Sequence, residues 1–178
     1  MQIKIRKEEK EDFNTVFKLI EEAFRNEEYS DHKEQYLVER LRKSDAFLPE
    51  LSLVAELDNE IVGYILLTKI TIIDSQKNLH PSLALAPVAV SKPFQRKGIG
   101  AELITYAHEK AKEMGFSSVV LLGHENYYPK FGYKPTIEFG IKLPFDVPEA
   151  NSMIIELFEN TLQNISGTVH YPKEFEIE

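Results

Sequence analysis

The stretch from residue 88 to 123, VAVSKPFQRKGIGAELITYAHEKAKEMGFSSVVLLG, constrains the fold more than any other part of the chain. An apolar run, a polar break holding two glycines, a helix-like pattern and a second apolar run stand end to end. Strands joined through a helix of this length lie parallel, because an antiparallel pair needs only a short turn. Upstream, LSLVAEL and IVGYILLTKITII lie on either side of a turn at Asp58 and Asn59, which marks a hairpin of strands rich in β-branched residues. A chain with both features is expected to be α/β (α+β), a mixed sheet with helices on both faces.

The other elements arrange themselves around that centre. Ile3 and Ile5 alternate with polar residues, as a first strand would. Phe13, Val16, Phe17, Ile20 and Phe24 recur at spacings of three and four, the apolar stripe of a helix. A polar stretch, RNEEYSDHKEQ, leads into a second helical pattern carrying Tyr36, Leu37, Val38 and Leu41, for which Ser30 or Asp31 is the expected N-cap. SLALAPVAV reads as a strand, 99–114 as a helix capped by Gly115, and SSVVLLG as a strand. Two more strands are expected around 137–143 and 152–158, joined by a proline-rich loop.

With 178 residues the chain has the length of one domain, and a single domain over 1–178 is expected. Its 43% hydrophobic and 28% charged residues are the balance of a packed protein rather than a disordered one. A net charge of −8 and a pI near 5.2 repel nucleic acid and anionic membranes, so neither is expected as a partner. There is no cysteine, which rules out disulfides, thiolate ligands and a cysteine nucleophile. MQIKIRKEEKED lacks the apolar core of a signal peptide, and no apolar run reaches the ~20 residues of a membrane span. A cytoplasmic location is the resulting expectation.

Pro87 is the odd residue of SLALAPVAV, since proline gives no hydrogen to a sheet ladder. Its strand either lies at an edge or parts there from SSVVLLG. If it parts, the backbone groups of Val88 and Val90 are free to pair with an extended, amide-bearing ligand. Directly afterwards come Gln95, Arg96, Lys97, Gly98, Ile99 and Gly100. Bare N–H groups at a helix start, approachable because glycine has no Cβ, together with positive charge, make a site for an anion such as a pyrophosphate. The pattern is not a dinucleotide fingerprint, because Leu103 stands at the third glycine position, nor a P-loop, because no Gly-Lys-Ser/Thr follows.

PVAVSKPFQRKGIGAELI resembles motif A of the GNAT (Gcn5-related N-acetyltransferase) superfamily, Gln/Arg-x-x-Gly-x-Gly/Ala between a fourth strand and a third helix. YYPKFGYKP, 127–135, is similar to the family's Phe-Tyr-x-Lys-Leu-Gly-Phe block, and GHENYYPKFGYKP with GTVHYPKEF resembles its YhbS-like branch. The resemblance implies the GNAT fold, with a mostly antiparallel sheet of six to seven strands and a splay between strands 4 and 5. It implies acetyl-CoA as donor, held along Val88, Ala89 and Val90 and at Gln95, Arg96, Lys97, Gly98, Ile99, Gly100 and Ala101. The N–H of Val88 would meet the thioester oxygen, and Tyr128 would be the general acid. The acceptor would be an amine of a small molecule or peptide, with a homodimer left open.

Direct attack of an amine on a thioester needs a neutral amine, a held oxyanion and a proton for the departing thiolate. A tyrosine hydroxyl can supply that last proton. His124, Glu125 or water would take the proton the amine loses. His32, His80, His108 and His170 have no metal-ligand spacing, and no metal is expected. The acceptor side would be shaped by 25–35 and 144–151, where Glu27, Glu28, Asp31 and Glu34 either attract a cationic amine or are a solvated loop. The GHEN connection is shorter than the family's Asn-x-x-Ala segment and takes its cofactor contacts out of the expectation. A protein that binds acyl-CoA as a regulatory module, without transferring the acyl group, is the alternative.

Overall fold

The computed structural model describes residues 1–176. In chain order its elements are β1 (Lys4–Lys7), α1 (Phe13–Phe24), α2 (Glu34–Leu41), β2 (Ser52–Leu57), β3 (Glu60–Ile73), β4 (Leu79–Val90), α3 (Ile99–Glu113), β5 (Ser118–Leu122), β6 (Lys134–Pro135), β7 (Ile141–Lys142), β8 (Ser152–Glu156) and β9 (Gly167–His170). The described residues group into two compact units. The first is Met1–Thr68 with Ala86–Lys110, and the second is Lys69–Leu85 with the described residues from Ala111 onward.

In the first unit β1 pairs antiparallel with β2, Lys4 against Glu56 to Lys7 against Leu53, and β2 pairs antiparallel with β3 from Ser52 against Leu66 onward. Asp58 and Asn59 close that hairpin at φ 51° and 66°, the left-handed pair a two-residue turn needs and that Asn and Asp tolerate. The stripe read in the sequence buries Val16 and Ile20 fully, and Leu51, Leu53, Val54, Ile65 and Leu67 are likewise buried. A charged network lies among them. Glu8, with a side chain 1% exposed, pairs with Arg42 at 8%, and accepts a hydrogen bond from Ser52 Oγ at 2.7 Å. Ser52 Oγ in turn lies 2.8 Å from the Tyr64 hydroxyl. Burial foremost, and then the charge of Glu8, pushes the Tyr64 phenol far up, so it stays a neutral hydrogen-bonding group.

In the second unit β4 and β5 run parallel, Leu83 against Val119 and Ala84 against Val120. A buried bond between Ser82 Oγ and Ser118 Oγ, 2.7 Å, fastens the start of that ladder. β8 adds antiparallel to β5, β6 to β8, and β9 to the end of β3, while β7 lies parallel to β9. Ile70, Ile72, Ala84, Val120, Ile154, Leu162 and Val169 form its core. The sheet is mixed and mostly antiparallel, as expected.

Three local expectations are corrected. The residue at the α2 N-cap is Lys33, without a side-chain cap, and neither Ser30 nor Asp31 takes that place. Ser30 Oγ accepts from the His32 N–H at 2.8 Å and Asp31 Oδ1 from the Lys33 N–H at 2.9 Å. Both side chains are thus spent on turns ahead of the helix. In 137–143 only Ile141–Lys142 is strand, because a 3-10 turn, Thr136–Phe139, ends at Gly140 with φ 67°. Finally, nine strands rather than six or seven lie in the sheet among the described residues. The two that the sequence reading did not name are β6, of two residues, and β9, of four, too short to show a period of two.

Candidate active site

The end of β4 alternates as a half-covered strand does. Ala89 is buried at 4%, while Val88 and Val90 are half-buried. Ser91 donates its N–H to Val62 O at 2.9 Å, and Gln95 Nε2 reaches back to Val90 O at 3.0 Å. The chain then turns through two left-handed residues, Arg96 at φ 63° and Gly98 at φ 87°. Gln95, Arg96, Lys97 and Gly98 are exposed or nearly so, whereas Ile99 is 1% exposed and anchors the first turn of α3.

The first backbone bond of α3 runs from the Glu102 N–H to Gly98 O, 3.0 Å. That leaves the N–H groups of Ile99, Gly100 and Ala101 without a partner inside the helix, at the positive end of its dipole. A Cβ built on Gly98 would meet nothing within 4 Å. The space over the turn is therefore open, and glycine is needed there for its φ rather than for room. Lys92, Arg96 and Lys97 add positive charge, with Lys97 Nζ 5.3 Å above the Phe94 ring. Three free donors, three cations and an unfilled approach fit a pyrophosphate.

What seats this turn is a residue that the sequence pattern did not single out. A Cβ on Gly63 of β3 would lie 2.9 Å from Leu103 Cδ1 and 3.1 Å from Ile99 Cγ2, both on α3, and 3.4 Å from Ala89 O. The first turns of α3 thus rest on bare backbone. The available signal was an isolated glycine inside a strand pattern, which marks a close approach.

Tyr128 belongs to the second unit. It opens a 3-10 turn, Tyr128–Phe131, and its side chain is buried at 9% exposure. Its ring stands edge-on to Tyr127, with centroids 5.0 Å apart, and to Tyr133 at 5.8 Å. Burial, and secondarily the neighbouring Tyr127, push its phenol up to about 12. A Cβ on Gly123 would lie 2.3 Å from Tyr128 Cε2 and 2.7 Å from Cδ2, so the ring lies directly on the backbone at Gly123. Gly123 gives its N–H to Asn151 O at 3.0 Å, and Asn151 Nδ2 returns a bond to Gly123 O at 3.0 Å. His124 and Glu125 are exposed. The His124 carbonyl accepts from the N–H of Tyr127 at 3.1 Å.

Among the described residues no group of three or more His, Asp or Glu side chains is placed to hold a metal ion. No helix among them is long and apolar enough to cross a membrane.

Residues 13–133 match the sequence pattern of the acetyltransferase (GNAT) family. The Escherichia coli K12 "Uncharacterized N-acetyltransferase YjhQ" is 33% identical over 141 residues, 78% of this chain and 76% of that one. The YhbS N-acetyltransferase of the same strain is 26% identical over 155 residues, 86% of this chain and 90% of that one. In three dimensions the E. coli YhbS structure in complex with CoA matches at TM-score 0.87 and 23% identity, covering 98% of this chain and 92% of that one. A GNAT family acetyltransferase from Brucella melitensis in complex with acetyl-CoA matches at TM-score 0.80 and 29% identity, covering 98% and 99%. The mixed, mostly antiparallel sheet with its parallel β4–β5 pair agrees with these matches: the chain belongs to the acetyltransferase (GNAT) family and is an N-acetyltransferase.

Proposed function

We propose that the chain moves an acetyl group from acetyl-CoA to an amine of a small molecule or peptide by direct attack. The observation that carries this reading is the open turn at Gly98, with the free N–H groups of Ile99, Gly100 and Ala101 beside Arg96 and Lys97. The donor supplies, when bound, an acetyl carbonyl activated as a thioester. The turn holds the pyrophosphate through those N–H groups, with Gln95 fixing the loop by its bond to Val90 O. Val88, Ala89 and Val90 lie along the pantetheine, and the Val88 N–H receives the oxygen as it gains charge. The new C–N bond forms as the C–S bond breaks. The amine's proton passes to solvent or to the exposed His124 or Glu125, and the Tyr128 hydroxyl gives a proton to the sulfur and regains one from water.

This reading treats 1–178 as one domain, of which the last two residues lie outside the described ones. It places the reaction in the cytoplasm without nucleic acid or membrane, in keeping with the charge of −8, and leaves a homodimer open. The acceptor side is assigned to 25–35 and 144–151. The second of these segments borders a cleft of about 240 Å³ lined by Leu143, Phe145, Val147 and Glu149.

A thiol-release assay with acetyl-CoA over a panel of diamines, amino sugars, amino acids and free peptide N-termini tests the reading. Amine-dependent release of CoA is expected with at least one class. Calorimetric binding of acetyl-CoA with no turnover on any amine would instead describe a sensor.

Gly98→Val probes the turn. The substitution forces a β-branched side chain to φ 87°, a strain of about 1–3 kcal/mol, and fills the open approach. We expect the acetyl-CoA KM to rise about tenfold or more, equivalent to about 1.4 kcal/mol, in a folded protein whose kcat at saturation stays within about threefold. An unchanged KM in that folded variant would reduce the turn to a turn.

A further inference from the structure

We infer that Gly123, clamped by Asn151, is the platform that positions Tyr128 for proton donation, so that the pair Gly123–Asn151 sets kcat without contacting the donor. This rests on the assignment of Tyr128 as general acid above. A backbone that only ended β5 would accept any residue at position 123. Here a single added carbon would lie 2.3 Å from Tyr128 Cε2 and 3.2 Å from Leu121 Cδ1. The ring sits in an aromatic cluster, with Tyr127 and Tyr133 edge-on to it and Phe131 tilted at 6.4 Å, so an added carbon displaces it from that packing.

Gly123 is itself held from both sides of its peptide, by the Asn151 carbonyl and by the Asn151 amide. Asn151 also bonds the Pro148 carbonyl through its N–H, 3.0 Å. The loop 144–151, the platform and the phenol ring therefore form one mechanical chain. A general acid must sit within hydrogen-bond reach of the atom it protonates, and a displacement of about 1 Å is enough to cost a large part of such a contribution.

The test is a cycle of four enzymes: wild type, Gly123→Ala, Tyr128→Phe and the double variant. Gly123→Ala should lower kcat about 10- to 100-fold, with the acetyl-CoA KM unchanged within about twofold. Placed on Tyr128→Phe, which keeps the ring and the clash but has no hydroxyl to misplace, the same change should cost less than about twofold. Equal losses in both backgrounds would show that Gly123 serves only the fold, and no loss in wild type would also overturn the platform.

Failure of the Tyr128 assignment looks different, because Tyr128→Phe alone would then leave kcat unchanged. The platform is read independently by 3-fluorotyrosine at position 128. Its 19F line should shift in Gly123→Ala, and its phenol should titrate closer to the ordinary tyrosine value as the ring is driven out; an unmoved line and titration overturn the platform whatever the kinetics. Should Gly123→Ala not fold, Asn151→Ala takes its place in the same cycle. It removes the bond to Gly123 O and adds no atom, and a loss of about 3- to 10-fold is expected only where the Tyr128 hydroxyl is present.

Discussion

Tyr128→Phe is expected to lower kcat about 10²- to 10⁴-fold, the range for loss of a positioned general acid, while the acetyl-CoA KM changes little. The ring, its edge-on packing with Tyr127 and Tyr133 and its seat on Gly123 all survive the change. The magnitude follows from the state of the hydroxyl. Burial holds the phenol at about 12, whereas a free thiol ionises near 8.5. Full transfer of the proton in the ground state is therefore uphill by roughly 5 kcal/mol. On the proposed assignment the hydroxyl would therefore contribute most as a hydrogen-bond donor while charge accumulates on sulfur, with the proton crossing as the C–S bond opens.

The pH dependence has a definite sign. Burial disfavours the phenolate, so the donating form persists as pH rises, and Tyr128 should impose no alkaline fall in kcat below about pH 10. Steady-state kinetics between about pH 7 and 10 on both enzymes check these statements. The matching Tyr127→Phe change should cost less than about threefold, because its hydroxyl has no assigned role. Equal losses in the two variants, or near-normal kcat in Tyr128→Phe, would leave departure of the thiolate to water.

The second large effect concerns stability. Arg42→Ala should cost about 3–5 kcal/mol, because it strands the Glu8 carboxylate in the interior, where Ser52 Oγ is its remaining side-chain donor among the described residues. The guanidinium also lies 3.9 Å over the Phe13 ring, and the substitution removes that cation–π attraction as well. For a chain of this length each kcal/mol is worth about 2–4 °C in midpoint, so Tm should fall by roughly 6–20 °C. Replacing both partners with apolar residues of similar size, Glu8→Leu with Arg42→Met, should recover most of the loss, since desolvation offsets much of what a buried pair gains. Calorimetry on wild type, the single variant and the double variant decides. A single Arg42→Ala within about 1 kcal/mol of wild type would mean that water reaches Glu8.

Much of the frame was legible because its signals are local. The stripe from Phe13 to Phe24, the Asp58–Asn59 turn and the glycine break before Ile99 each show within a short window, and α1, the β2–β3 hairpin and α3 begin where those signals stand. The turn that opens α3 was legible for the same reason, and a helix N-terminus collects donors by geometry alone. What escaped is decided by distant partners. β9 is four residues held against Thr71, Ile72 and Ile73, and nothing in GTVH by itself names that partner. Gly123 looks like a loop residue until the Tyr128 ring is placed on it, and Asn151 looks like a loop polar residue until both its bonds to Gly123 are seen. Ser30 and Asp31 are good caps by type, yet their side chains were taken by nearer backbone donors.

Gly63 has a consequence for how such a protein can change over time. Because the Leu103 and Ile99 side chains of α3 rest there on naked backbone, one methyl added on the strand would force both to repack under the helix start. The seat of α3 is thus open to tuning through a position outside the turn, one that leaves every charged residue of the turn in place.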